Sequence, residues 1–208
     1  MEEELRDRWA ADLGRDRAAT AALDSLLARY REPHRRYHGV THVLRVLRTV
    51  DELLVAAGPT DDPGAVRLAA WYHDAIYDPR AASGANEAAS AALARRDLAT
   101  LGQPPERADV VERLVLVTVA HTPSSADEAV LCDADLAVFA ADPATYAAYA
   151  TGVRAEYGHV DDDAWRLGRA AVLRSFLARP VLFHTSPMAG RDATARANLT
   201  AELASLTD

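Results

Sequence analysis

Residues 69–78 read AAWYHDAIYD, so an imidazole and a carboxylate, His73 and Asp74, stand side by side in an otherwise apolar stretch. Burying an unpaired carboxylate costs on the order of several kcal/mol. Groups of the same types recur along the chain: His38 and His42 in RRYHGVTH, His121 in VAHTP, and Asp133 and Asp135 in CDADLAVF. Each lies at a predicted helix end or on an apolar helix face. Meeting in the interior of a helical bundle, they would need a compensating charge. A divalent cation accepts carboxylates and neutral imidazoles at once. Neighbouring residues of a helix point ~100° apart, so His73 and Asp74 can flank one ion if their helix meets it edge-on.

The elements that must position these groups all read as helices. Alanine and leucine dominate, apolar residues recur at spacings of three and four, and no stretch alternates as a strand would. One helix, with Leu23, Leu26, Leu27 and Tyr30 on its apolar face, ends at Glu32-Pro33. A second is predicted over about 40–57, with Val43, Leu44, Leu47, Val50 and Leu54 on one face, closed by Gly58-Pro59. A third over about 63–77 carries the His73-Asp74 pair. Others follow over about 85–101, 105–120, 134–141, from Pro143, and over about 161–178 and 191–206. The β-branched run VVERLVLVTVA (110–120) is read as a buried helix because of its length and its Pro104-Pro105-Glu106 start. Short loops and the lack of a linker or repeat predict one all-α domain over 1–208, of roughly eight to ten helices.

Composition narrows the function. Half of the 208 residues are hydrophobic, ample for one core. The formal net charge is −8, and all 23 basic residues are arginine. With no basic stripe to neutralise phosphates, general nucleic-acid binding is not expected. The single cysteine, Cys132, excludes an internal disulfide and a cysteine zinc cluster. No apolar run reaches a membrane span's length, and the acidic start MEEELRDRWAADLG lacks the features of a secretory leader. The expectation is a cytoplasmic protein without membrane attachment. Its long terminal helices are compatible with a homodimer.

The ordered set His42, His73-Asp74 and Asp133 or Asp135 resembles the H…HD…D pattern of the HD-domain superfamily of metal-dependent phosphohydrolases. Six stretches look like a small single-domain bacterial branch of it: RRYHGVTH (35–42), AAWYHDAIYD (69–78), NEAASA (86–91), CDADLAVF (132–139), VRAEY (153–157) and ARANLTAEL (195–203). The resemblance covers roughly 30–205. It implies an HD-type helical bundle with His42, His73, Asp74 and Asp133 as metal ligands. Residues two apart on a helix do not face one way, so only one of Asp133 and Asp135 should bind. The superfamily pattern favours Asp133, leaving Asp135 to orient a ligand or cap a helix.

Two imidazoles and two carboxylates suit one divalent transition metal (Mn, Fe, Co, Ni or Zn, with Mg also admissible) better than Ca. The implied reaction is hydrolysis of a phosphate ester of a nucleotide or other small phosphorylated metabolite by metal-activated water. Asp74 is the pivotal catalytic ligand. Glu87 could orient water, against the plain reading of a first-turn acid favoured by the helix dipole. His121 is a second catalytic candidate, His38 could line the substrate pocket, and Arg36 and Arg154 are candidate phosphate-binding residues. Two other classes stay open, a di-iron oxygenase of the same fold, which needs more histidine ligands, and a non-catalytic metabolite-binding domain.

Overall fold

The computed structural model describes residues 1–207, and among them every regular element is helical. The order is α1 (Glu2–Leu13), α2 (Arg17–Tyr30), α3 (Val40–Ala56), α4 (Pro63–Tyr72), α5 (Ala85–Thr100), α6 (Pro105–Val117) and α7 (Ala126–Leu136). A 3-10 turn (Ala137–Ala140) precedes α8 (Pro143–Glu156), α9 (Asp162–Leu177), the single turn α10 (Ser186–Ala189) and α11 (Asp192–Thr207). The all-α architecture is the expected one. The run 110–117 is helix, as its length and proline start imply. None of the described helices is long and apolar enough to cross a membrane.

Side-chain chemistry sets the helix starts. Asp16, Asp62, Asp142 and Asp161 each accept an N–H from the first turn of α2, α4, α8 and α9, satisfying donors the helix leaves open. Three proline positions, Pro63, Pro105 and Pro143, open α4, α6 and α8, where no N–H is needed. The buried apolar residues, from Leu5 through Leu199, form one cluster. Trp9 of α1 meets Trp71 of α4 edge to face at 5.3 Å and donates its indole N–H to Ala19 O. That contact fastens α1, a helix outside the sequence expectations, to the α2–α4 layer.

Two boundaries depart from the periodicity. Helix α4 stops at Tyr72 rather than near 77, so His73 and Asp74 sit in the turn that follows it. The buried Arg35 guanidinium takes the carbonyls of Asp74 and Ala75, and Ser90 Oγ accepts the Ile76 N–H. Both pull the chain off the helical path. Helix α7 begins at Ala126, well before the expected start near 134. Ser125 Oγ accepts the Glu128 N–H, while the Glu128 carboxylate accepts from Ser124 N and Oγ. The polar SSADE start hid this helix from a reading based on apolar spacing.

One acid is destabilising where it sits. Burial pushes the Asp12 carboxyl up to about 6, with Asp51 adding to the rise while the nearby Arg67, Trp71 and Arg8 side chains oppose it. A raised pKa means the folded state binds the proton more tightly than the unfolded chain. Stability is therefore fullest below about pH 4 and falls as pH rises towards 6. Asp12→Asn should stabilise the protein at pH 7.5 by about 1–2 kcal/mol, after discounting for partial solvation. Thermal unfolding would show this as a rise of about 2–6 °C that disappears by pH 4.

Candidate metal centre

The loop between α2 and α3, residues 31–39, carries His38 and leads into α3, whose first turn bears His42. The turn after α4 carries His73 and Asp74, and the end of α7 carries Asp135. These elements bring His42 Nε2 and His73 Nε2 to 3.0 Å. Asp74 Oδ2 lies 3.3 Å from His42 Nε2 and 3.2 Å from His73 Nε2. Asp135 Oδ1 lies 3.3 and 3.5 Å from the same nitrogens. Both histidines are buried.

The spacings among His42, His73 and Asp135 fit a shared cation. Donors bound to one ion at ~2.0–2.2 Å, at right or tetrahedral angles, lie about 2.8–3.6 Å from each other. His73 Nδ1 is 2.9 Å from Ala70 O, and donating to that carbonyl leaves the Nε2 lone pair facing the centre. Two such lone pairs at 3.0 Å would repel unless a proton or cation lies between them. His42, His73 and Asp135 form a group able to hold a metal ion, with donor atoms all within 4.8 Å of one another. His42 Nδ1 is buried without a partner, so the His42 ring, unlike that of His73, is oriented by packing against Tyr37 at 4.8 Å.

Electrostatics favour the same conclusion. Burial alone would lower both imidazoles, but hydrogen bonds and charge from Asp135 and Asp74 outweigh it and raise them. Burial likewise opposes ionisation of the two acids. His73 dominates what holds Asp74 well below the usual range, and His73, then His121 and His42, do so for Asp135. The site thus holds two half-buried carboxylates whose negative charge attracts positive charge to the imidazoles.

The structure corrects one expected ligand. The Asp133 carboxylate points away from the histidines and accepts the N–H groups of His184 and Thr185 and the Thr185 hydroxyl at 2.7–3.0 Å. Asp135 takes the place expected of Asp133. Its second oxygen, Oδ2, lies 2.8 Å from His121 Nε2, so His121 orients Asp135. His121 holds φ at 47°, a left-handed conformation uncommon for a non-glycine residue and frequent at functional sites. Arg179 donates to the carbonyls of Ala120 and His121 and fixes that turn.

A cavity of ≈ 610 Å³ opens from His38, Asp74, His121 and Asp135, and Glu87 lines it. It falls within the ~300–1,000 Å³ typical of ligand pockets. Arg36 and Arg154 do not line it. Arg36 donates to Pro33 O and Arg35 O beside a separate groove. Arg154 donates to Tyr157 O, Val160 O and Asp162, and its guanidinium lies 5.2 Å from the Trp165 ring centre. Both are bound within the chain, which sequence position alone does not reveal.

Three important residues went unnoticed in the sequence. Arg35 lies buried between the rings of Tyr30 and Tyr77 and bonds His38 O, Asp74 O and Ala75 O, joining the histidine loop to the His73-Asp74 turn. Glu156 accepts the N–H groups of Arg36, Tyr37 and His38 and the Tyr77 hydroxyl, and its Oε2 lies 2.6 Å from His38 Nδ1. Arg169 pairs with both Glu202 oxygens and the Tyr149 hydroxyl at the cavity wall. Glu156 stands two residues after Arg154 in VRAEY, and Glu202 lies in ARANLTAEL. The stretches carried the signal, but nothing local marked which member mattered.

Two outcomes follow for substitution. Burial opposes the charge of Glu156, but bonds from His38 and the loop amides hold its carboxyl down at about 2 against an ordinary 4.5. A depressed carboxyl adds stability above the unfolded value, and that contribution is lost as pH falls from 4.5 towards 2. Glu156→Gln should cost about 2–3 kcal/mol at pH 7 in denaturant unfolding, a gap that narrows below pH 4.5. Separately, Asp135→Asn should abolish the rise in melting temperature caused by Mn²⁺ or Ni²⁺. Asp133→Asn should lower the melting temperature without metal yet retain the metal-induced rise. The reverse pattern would restore Asp133 as the ligand. No protein-family model, curated protein or solved structure matches this chain, so the assignment of the site rests on its own residues.

Proposed function

We propose that the protein is a metal-dependent hydrolase of phosphate esters of small metabolites. The observation that carries this reading is the meeting of two buried imidazoles and two carboxylates at one end of a ligand-sized cavity. The likeness of the His42, His73-Asp74 pattern to the HD superfamily supports it. A divalent transition ion held by His42, His73, Asp74 and Asp135 would supply a Lewis acid and an acidified water.

The chain's own groups account for the rest. Asp74 and Asp135 carry the negative charge that retains the ion, and His121 holds Asp135 in place through Oδ2. His38 lines the cavity while Glu156 fixes its Nδ1, leaving Nε2 to hold or pass a proton. In hydrolysis, water adds to phosphorus, the ester P–O bond breaks, and the departing alkoxide takes a proton. His38 Nε2 is the group we assign to that transfer. Glu87, also on the cavity wall, is placed to orient a water.

Among the described residues, His42, His73 and Asp135 are the one group of histidines, cysteines and acids close enough to hold an ion. His121, the spare histidine, is bonded to Asp135. That favours a single-ion hydrolase over a two-iron oxygenase. Asp74→Ala should reduce Mn²⁺-dependent phosphate release from p-nitrophenyl phosphate by at least ~10³-fold, since it removes charge as well as a donor. Wild-type rates in Asp74→Ala, after stripping and reloading metal, would refute the proposal.

A further inference from the structure

We propose that the substrate is a phosphomonoester whose organic part is uncharged and aromatic or apolar, and that ligands with a second anionic group are rejected. This rests on the hydrolase reading above and names the substrate class of that same site. The argument comes from the cavity's charge and its far wall.

Away from the histidine-bearing end, the cavity runs along α9 and is walled by Val153, Val160, Trp165 and Val172. The Trp165 ring stands 5.5 Å from that of Tyr157, centre to centre, and the Arg154 guanidinium covers it. The wall is thus an anchored aromatic surface of the kind that binds flat, uncharged rings. Beside it, Gly168 leaves room: a Cβ built there meets nothing within 4 Å.

The charges point the same way. Arg169 is the one arginine lining the cavity, and the chain contains no lysine. Its Nε and Nη2 already bond the two oxygens of Glu202, with Tyr149 as a third partner. A guanidinium paired in this way has little charge left for a second anion. Meanwhile Asp78 and Glu87 add two acids to the wall beyond Asp74 and Asp135. An ion at the centre can balance one phosphate. A further carboxylate or phosphate on the substrate would find acids, uncharged polar groups and apolar side chains, with no lysine and no unpaired guanidinium to meet it; His38 serves the phosphate end and His121 is bonded to Asp135.

Isothermal titration calorimetry of the full chain loaded with Mn²⁺ tests this with three non-hydrolysable probes. Benzylphosphonate should bind at least tenfold tighter than methylphosphonate, because of its ring. It should also bind at least tenfold tighter than 4-carboxybenzylphosphonate, because of the added anion. Gly168→Trp, checked for folding by circular dichroism, should weaken benzylphosphonate at least tenfold by filling the space its ring needs. Equal or tighter binding of the carboxylated probe, no gain from the ring, or no benzylphosphonate binding at millimolar concentration would overturn the inference. Phosphate release from phenyl phosphate and from nucleoside triphosphates is measured in parallel. The expected affinity order without turnover of any ester would overturn the hydrolase reading and leave the ligand class standing. Turnover with triphosphates preferred would do the opposite.

Discussion

The guanidinium of Arg35 is the joint on which the centre depends. It is buried between two tyrosine rings and has no water to fall back on, so its N–H groups must be met from within the chain. They are met by Glu32 and by the carbonyls of His38, Asp74 and Ala75. Those carbonyls belong to two segments far apart in sequence, the loop before α3 and the turn after α4. One planar cation thus sets the separation between the segments that supply His42 and the His73-Asp74 pair. Lysine, with a point charge and three donors, could not span the same carbonyls in the same plane.

Around that joint the chain keeps buried charge tolerable by pairing it locally. Glu156 collects three loop amides, a tyrosine hydroxyl and a histidine, so its negative charge is spread over five contacts. Asp74 and Asp135 have the two imidazoles as their counterparts. Buried polar networks of this sort stiffen a core when every member is satisfied. The one unsatisfied member, His42 Nδ1, sits where ring packing against Tyr37 does the positioning instead.

Much of this was legible from residue order. Apolar spacing located most helices, and the types and placing of His42, His73 and Asp74 announced a polar centre in an apolar interior. The choice between Asp133 and Asp135 was not legible, because it turns on His184 and Thr185, some fifty residues downstream, whose backbone N–H groups claim the Asp133 carboxylate. Arg35, Arg169 and Glu156 escaped for a related reason. Every permanently charged basic side chain is an arginine, so a buried guanidinium and a solvated one look alike until tertiary contacts separate them. The end of α4 shows the same limit: its apolar pattern continues past Tyr72, but contacts from Arg35 and Ser90 redirect the backbone.

The grip of Asp133 on the 184–185 segment also bears on how firmly the centre is held. Asn198, on the last helix, donates to the carbonyls of Phe139, within the 3-10 turn, and Ala141, just after it. The stretch bearing Asp135 is therefore braced from both sides by residues made last. Helix α7 itself packs on α3 and α4, which brings Asp135 to His42 and His73, and the 184–185 segment and α11 add bracing around that arm. The centre is thereby tied to contacts from both ends of the chain, and loosening the last helix would be felt at Asp135 although no residue of that helix touches the histidines.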